Sequence, residues 1–194
     1  TIENLLDINI DYYVKINFKG VVKLVDTLGG VEIDVPYNLC EQNSNRQWGS
    51  NTVYIEQGHQ TLNGEQALAY ARNRHPNPSK CSSKWTNYTS NDFIRGQHQQ
   101  EVVTALLNKF KSVKSLDTIY NLLDTISANM STNMGTEQIL SLYNVFKDIS
   151  AKSGESNDIA DLLGMQKLYL NGYDQRIYDY GGTNLSLYNY VLYD

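Results

Sequence analysis

Apolar positions along this chain change period several times, and each change marks an element. Phe18, Val21, Val22, Val25 and Leu28 recur at helical spacing and Gly29 supplies a stop, so residues 18–28 read as a helix. Val31-Glu-Ile-Asp-Val35 alternates apolar and acidic residues before Pro36, the pattern of a strand with one buried face. Residues 12–17 (Tyr-Tyr-Val-Lys-Ile-Asn) and 52–56 (Thr-Val-Tyr-Ile-Glu) are rich in β-formers and read as strands. Residues 2–8 read as the end of a helix, 38–52 as a loop, and 58–62 as a turn. Asn63 and Gln66 have the spacing of a capping box, which starts a helix over Gly64–Arg72 with Ala67, Leu68 and Ala71 inward.

Pro76 and Pro78 forbid helix in the long polar stretch 73–91. Ser90 or Asn91 can cap the next helix, which runs to about Val113 and carries Val103, Leu106, Leu107 and Phe110. Residues 116–130 follow with Leu116, Ile119, Leu123 and Ile126. A third helix, capped by Thr136, carries Ile139, Leu142, Tyr143, Phe146 and Ile149. Residues 151–160 read as a loop. Beyond them, 165–170, 175–180 and 185–193 suggest at least one hairpin around Gly181-Gly182. Strand, helix and strand with short connections, followed by three amphipathic helices, point to an α/β layered domain.

Length fits one domain, 1–194, with 151–194 as a Tyr-rich tail. Fifteen tyrosines and only 19 % charged residues suit an extracellular, carbohydrate-facing surface. A net charge of −5 with no basic stripe argues against nucleic acid. No run of 18 apolar residues is present to span a bilayer. The chain opens directly on Ile2, Leu5 and Leu6 without a signal peptide, as a processed fragment would. Cys40 and Cys81 both lie in polar, loop-like stretches, where a free cysteine is out of place, so a bridge between them is expected. It would imply an oxidising compartment.

Against the acidic balance, three of the five arginines, Arg72, Arg74 and Arg95, fall within 24 residues. The planar guanidinium fork matches phosphate or carboxylate. If the helix ends near Arg72, an extended exit puts Arg72 and Arg74 on one face, and a helix starting near Asp92 brings Arg95 to the same spot. Three unrelated surface ion pairs would fit the spacing equally well. His59 reads as a solvated turn residue, whereas His75, beside Arg74, could touch a phosphate. Asp7, Asp11, Asp26 and Asp34 read as cap, edge or surface carboxylates, with Asp26 structural. Neither a phosphate-cradling glycine loop nor a nucleophilic triad is visible.

Three stretches carry a resemblance. They are Asp11–Phe18 with the Val25-Asp-Thr-Leu-Gly-Gly-Val31 block, Leu62-Asn-Gly-Glu-Gln-Ala-Leu-Ala-Tyr-Ala-Arg-Asn-Arg74, and Asp92-Phe-Ile-Arg95 with Gln99. In content and order they resemble the LytR-CpsA-Psr family of bacterial cell-envelope proteins over about residues 1–150. The resemblance implies an α/β/α sandwich, a mixed central sheet flanked by helices, with a deep apolar pocket for a lipid tail. It also implies that the family's N-terminal strands lie outside this chain. The implied activity is a phosphotransferase that moves a cell-wall glycopolymer from a polyprenyl-pyrophosphate carrier to peptidoglycan, on the outer face of the membrane, with a membrane anchor further upstream. Arg72, Arg74, Arg95 and Gln99 carry over as phosphate ligands, with Asp92 orienting an arginine; Arg72, Arg74, Arg95 and Asp92 form the implied catalytic group. Two departures stand out. His98 occupies a phosphate-binding position where the family has another arginine, and the aspartates that hold the family's Mg2+ lie upstream of Thr1. A catalytically reduced module that binds polyprenyl phosphate or envelope glycan is the competing reading, and a structural or adhesive surface domain is a third.

Overall fold

Asn17 starts the first helix by accepting a hydrogen bond from the Gly20 amide at 2.9 Å. The computed structural model describes residues 3, 4, 7, 9–111, 113, 116–152, 172–177 and 187–192. The expected contributions of Ile2, Leu5, Leu6, residues 165–170 and Gly181-Gly182, and of the Leu116, Ile126, Phe146 and Ile149 side chains, lie outside the described residues. Helix α1 spans Phe18–Thr27 and ends in two glycines with φ of 77° and 90°, conformations open to residues without a Cβ. The chain thereby reverses into β2, Val31–Val35, whose side chains alternate buried and exposed as the sequence indicates. The earlier strand β1 is shorter than expected, Val14–Ile16.

Strand β2 pairs antiparallel with β5, Gly58–Leu62, in the register Val31↔Leu62 to Val35↔Gly58. Residues 58–62 are therefore a strand and not the expected turn. Their own sequence offers little β-propensity, and the partner strand imposes the extended form. A second surprise is β3, Leu39–Glu41, which pairs antiparallel with β4, Val53–Ile55, inside a stretch read as loop. Leu39 and Cys40 are almost completely buried there, while the polar residues around them mask the strand.

The capping box forms as expected: Asn63 accepts from the Gln66 amide at 3.0 Å and Gln66 accepts from the Asn63 amide at 3.1 Å. Helix α2, Gly64–Arg72, then runs over its expected length. Its first amide, on Gly64, donates to Asp26 of α1 at 2.7 Å, so Asp26 is structural. Helix α3 covers Asp92–Lys111, capped by Asn91, whose side chain accepts from the Phe93 and Ile94 amides. Helix α4 stops at Ser127, earlier than expected, because Met130–Thr132 forms β6 antiparallel to β1. Helix α5, Thr136–Lys152, begins at Thr136 itself; the Ile139 amide bonds to the Gly135 carbonyl, so Thr136 lies in the first turn and is not the cap.

The mixture of helices and strands is the α/β class indicated by sequence. Among the described residues the strands pair as two-stranded antiparallel ladders. The core joins Val25 of α1, Val31, Ile33 and Val35 of β2, Leu39, Ile55 and Leu62 of β3–β5, Ala67, Ala69 and Tyr70 of α2, and Val102 of α3. By its contacts the chain divides into two units, Thr1–Leu163 and Gly164–Asp194. In the second, Gly172–Ile177 (β7) pairs antiparallel with Leu187–Leu192 (β8), the hairpin expected in the tail.

The bridge between Cys40 and Cys81 is present, with a sequence separation of 41. It pins the long 73–91 connection to β3. Tyr37 stacked on Tyr88 at 4.3 Å, Tyr54 against Trp85 at 4.9 Å and the Lys84–Glu56 pair at 2.9 Å hold the same connection. A paired Cys40→Ala, Cys81→Ala variant should lose about 3–4 kcal/mol of unfolding free energy by the loop-entropy relation, read from urea melts. A loss under about 1 kcal/mol would mean that the aromatic stacks suffice. Gly64 packs against the Val22 backbone where a Cβ would collide with main-chain atoms. Gly64→Ala should therefore cost about 2–3 kcal/mol in the same melts, despite alanine's higher helix propensity.

Candidate anion-binding site

Helix α2 ends because Asn73 takes an extended conformation, ψ 123°, just before His75 and Pro76. Asn73 is completely buried, and its side-chain amide donates to the Tyr88 hydroxyl at 2.8 Å. The arginines on either side of this anchored residue go to different places. Arg74 reaches one oxygen of Asp92 at 2.7 Å, while Arg95, one turn along α3 from Asp92, reaches the other at 2.5 Å. One carboxylate thus gathers two guanidiniums, each with one-third to one-half of its side chain exposed. Such exposed pairs contribute only about 0.2–1 kcal/mol each to stability. What they fix is position, and the group carries a net positive charge facing solvent.

Arg72 does not join them. It donates to the Asn43 carbonyl at 3.1 Å, and its guanidinium carbon lies 4.6 Å from the centre of the Phe18 ring. Burial, and then Arg46 nearby, push the Arg72 pKa down, opposed by Glu41 and Glu65. Arg72 and Arg74 thus engage different partners, where a shared spot was expected. Gln99 lies near the junction, its side-chain amide donating to the Ala71 carbonyl at 3.2 Å. It ties α3 to the last turn of α2.

His98 is a correction. It was expected among phosphate ligands, yet it is 3 % exposed, with its ring stacked on Tyr70 at 4.0 Å and tilted against Tyr37 at 6.1 Å. It faces the aromatic core from the inner side of α3, while Arg95 faces out. Its Nδ1 has no hydrogen-bond partner among the described residues. Burial pushes its pKa below the usual histidine value; Glu101 and a backbone contact at Tyr70 act the other way. Tyr70 donates to Glu101 at 2.5 Å, and burial raises its pKa. Burial also pushes Tyr88 up to about 12 and raises Tyr37. These phenols are neutral at physiological pH.

His75 donates to the Ser90 carbonyl at 3.2 Å. His59 lies on β5 between Asp34, at 2.9 Å, and Glu32, at 3.7 Å, largely exposed. Among the described residues no three His, Cys, Asp or Glu side chains converge to hold a metal. Asp92 is engaged by two guanidiniums. The described carboxylates therefore do not fit a Mg2+ site. Sequence reasoning missed Asn73, whose place between two arginines was visible, and Arg46 with Phe18, whose contact across 28 residues left no local signal.

The LytR_cpsA_psr family model matches residues 1–185. The Bacillus subtilis (strain 168) polyisoprenyl-teichoic acid–peptidoglycan teichoic acid transferase TagT is 30 % identical over 174 residues, covering 90 % of this chain and 46 % of its own. The crystal structure of B. subtilis TagV superimposes with a TM-score of 0.68 at 27 % identity, over 97 % of this chain and 61 % of that one. A structure of TagT bound to LI-WTA gives 0.57 at 25 % identity, over 98 % and 58 %. The chain thus spans less than half the length of the curated TagT sequence.

Because the folded His98 takes up a proton less readily than the unfolded one, the unfolded state gains protons first as pH falls. The stabilisation is present above the unfolded value of about 6.5 and is lost as pH drops through the lower folded value. Urea melts should show stability falling below about pH 6.5 by at most about 1.4 kcal/mol per pH unit from this group. His98→Gln should flatten that limb. An unchanged slope in the variant would assign it to other groups.

Proposed function

The chain belongs to the LytR_cpsA_psr family, and on that footing we propose that it forms part of a phosphotransferase that joins a cell-wall glycopolymer, delivered on a polyprenyl-pyrophosphate carrier, to peptidoglycan. The observation that carries this reading is the convergence of Arg74 and Arg95 on the two oxygens of Asp92. Each guanidinium has five N–H donors, and Asp92 engages only part of them, so a pyrophosphate can accept from both. An acceptor hydroxyl oxygen bonds to the phosphorus next to the sugar, and the bridging P–O bond breaks. Polyprenyl phosphate leaves, and the hydroxyl proton passes to a base. The arginines stabilise charge on the departing phosphate, the place where a positioned cation lowers the barrier. Asp92 keeps both aimed, and Gln99 holds α3 against the end of α2 so that Arg95 stays beside Arg74.

The names of TagT and TagV relatives, and a TagT structure bound to LI-WTA, support the glycopolymer class. The disulfide supports an oxidising, extracytoplasmic setting. No described helix is long and apolar enough to cross a membrane, so on this reading attachment to the membrane rests with a segment other than the described helices. A second reading, a module that holds the lipid pyrophosphate without turnover, draws on the inward, neutral His98 where the family has an arginine.

Calorimetry with a short-chain polyprenyl pyrophosphate tests the site. Arg74→Ala and Arg95→Ala should each weaken binding about tenfold or more, the worth of a charge-assisted contact. Unchanged affinity in both variants would remove the phosphate role. Binding without release of polyprenyl phosphate from a lipid-linked glycan would select the second reading.

A further inference from the structure

Two stretches that carry none of the resemblance, residues 36–57 and 75–91, meet at one aromatic pair. Tyr54 of β4 is 44 % exposed, and its ring lies 4.9 Å from that of Trp85, tilted by 53°. Trp85 closes a single 3-10 turn, Ser83–Trp85, its amide donating to the Ser82 carbonyl at 2.9 Å. The disulfide arranges this meeting. Tyr54 is the cross-strand partner of Cys40, so its side chain leaves the ladder on the face to which the bridge ties the connection. Trp85 follows Cys81 closely in that connection.

Within the described residues no hydrogen bond engages the Tyr54 hydroxyl or the Trp85 indole N–H. Lys84 Nζ lies 4.5 Å from the centre of the Trp85 ring and 2.9 Å from Glu56, and both charged side chains are more than half exposed. An exposed ion pair of this kind contributes little and yields readily to a ligand. The ammonium shows that the indole face attracts positive charge. The C–H hydrogens on one face of a pyranose carry partial positive charge and suit the same surface. Sugar hydroxyls can accept from the indole N–H and from Lys84, and donate to Glu56 and the phenol oxygen. Lysine and glutamate together leave the pair without net charge, which favours a neutral saccharide over an anionic polymer.

We propose that Tyr54 and Trp85, with the Lys84–Glu56 pair beside them, form a saccharide-binding platform that holds the neutral glycan strand of the acceptor, a β-1,4-linked chain of N-acetylated pyranoses. The acceptor assignment rests on the function proposed above; the saccharide platform does not. The connection that carries Trp85 leaves Arg74 and returns at Asp92, so the platform and the anion site belong to one braced segment. The bridge holds the two rings together before a ligand arrives, which lowers the ordering cost of binding.

The indole N–H of Trp85 reads the platform in the 15N-labelled, disulfide-bonded protein, with Trp48 as the reference signal and Arg95 Nε–H as the reporter of the anion site. The probes are an N-acetylglucosamine tetramer, sorbitol as a polyol without a ring, a glycerol-phosphate oligomer, and N-acetylglucosamine linked to a short prenyl pyrophosphate. The tetramer should shift Trp85 saturably and leave Trp48 in place, while sorbitol moves neither. Tyr54→Leu keeps an apolar contact with Trp85 and removes one ring, and should weaken the tetramer about fivefold. Its Arg95 response to the prenyl probe should stay within twofold. No saturable Trp85 shift with any sugar probe, sorbitol matching the tetramer, or unchanged tetramer affinity in Tyr54→Leu would each overturn the platform. The prenyl-linked sugar shifting Trp85 where the tetramer does not, or the glycerol-phosphate oligomer binding there more tightly, would overturn the acceptor assignment. A tetramer response at Trp85 with no Arg95 response to the prenyl probe would sustain the platform and overturn the pyrophosphate reading.

Discussion

One backbone contact sets the geometry on which both arginine groups depend. The first amide of α2, on Gly64, donates to Asp26 of α1, and the two helices approach so closely there that a Cβ has no room. The carboxylate satisfies an amide that would otherwise lack an intrahelical partner and sits favourably at the positive end of the helix. Helix α2 is only 9 residues long. Fixing its start therefore fixes its end, little more than two turns away, where Arg72, Asn73 and Arg74 leave it.

At that end, polarity is spent inward to arrange charge outward. Asn73 gives up all contact with solvent, yet its side-chain oxygen finds no partner among the described residues. The His98 Nδ1 is a similarly unpaired buried atom, linked to this region through the Tyr37–His98 contact and the Tyr37–Tyr88 stack. Leaving such groups unpaired costs about 1–3 kcal/mol apiece unless water reaches them. A core optimised for stability alone would fill this region with apolar side chains. Concentration of the cost behind the arginines is what a site does when arrangement matters more than stability.

The elements that could be read in the sequence were those with local causes. Asn63 and Gln66 spell out a cap, the glycines after α1 spell out a reversal, and the alternation in Val31–Val35 spells out a half-buried strand. The strands that escaped, at Leu39–Glu41, Gly58–Leu62 and Met130–Thr132, owe their form to a partner elsewhere in the chain. The same distinction holds for the site. Arg74, Asp92 and Arg95 were visible because helix boundaries place them. Arg72 was expected beside Arg74, but its partners, the Asn43 carbonyl and the Phe18 ring, lie far off in sequence and left no local signal. His98 was misplaced because the resemblance puts an arginine at that position, whereas in this chain the ring packs inward against Tyr70 and Tyr37.

The disulfide joins these strands of reasoning. Cys40 precedes Glu41, Gln42 and Asn43, which approach Asn73 and Arg72, and Cys81 lies midway between Arg74 and Asp92. One covalent link thus braces the segment under Arg72 and the connection that must bring Asp92 back to Arg74. A connection of this length without regular structure would close at an entropic cost in each folding event and would leave the Arg74–Asp92 pair, worth little by itself, to hold it. With the bridge and two aromatic contacts in place, the ion pair is relieved of that task. On the function proposed above, Asp92 can then share its arginines with a phosphate without loosening the fold, which is the property a binding site requires of the groups that guard it.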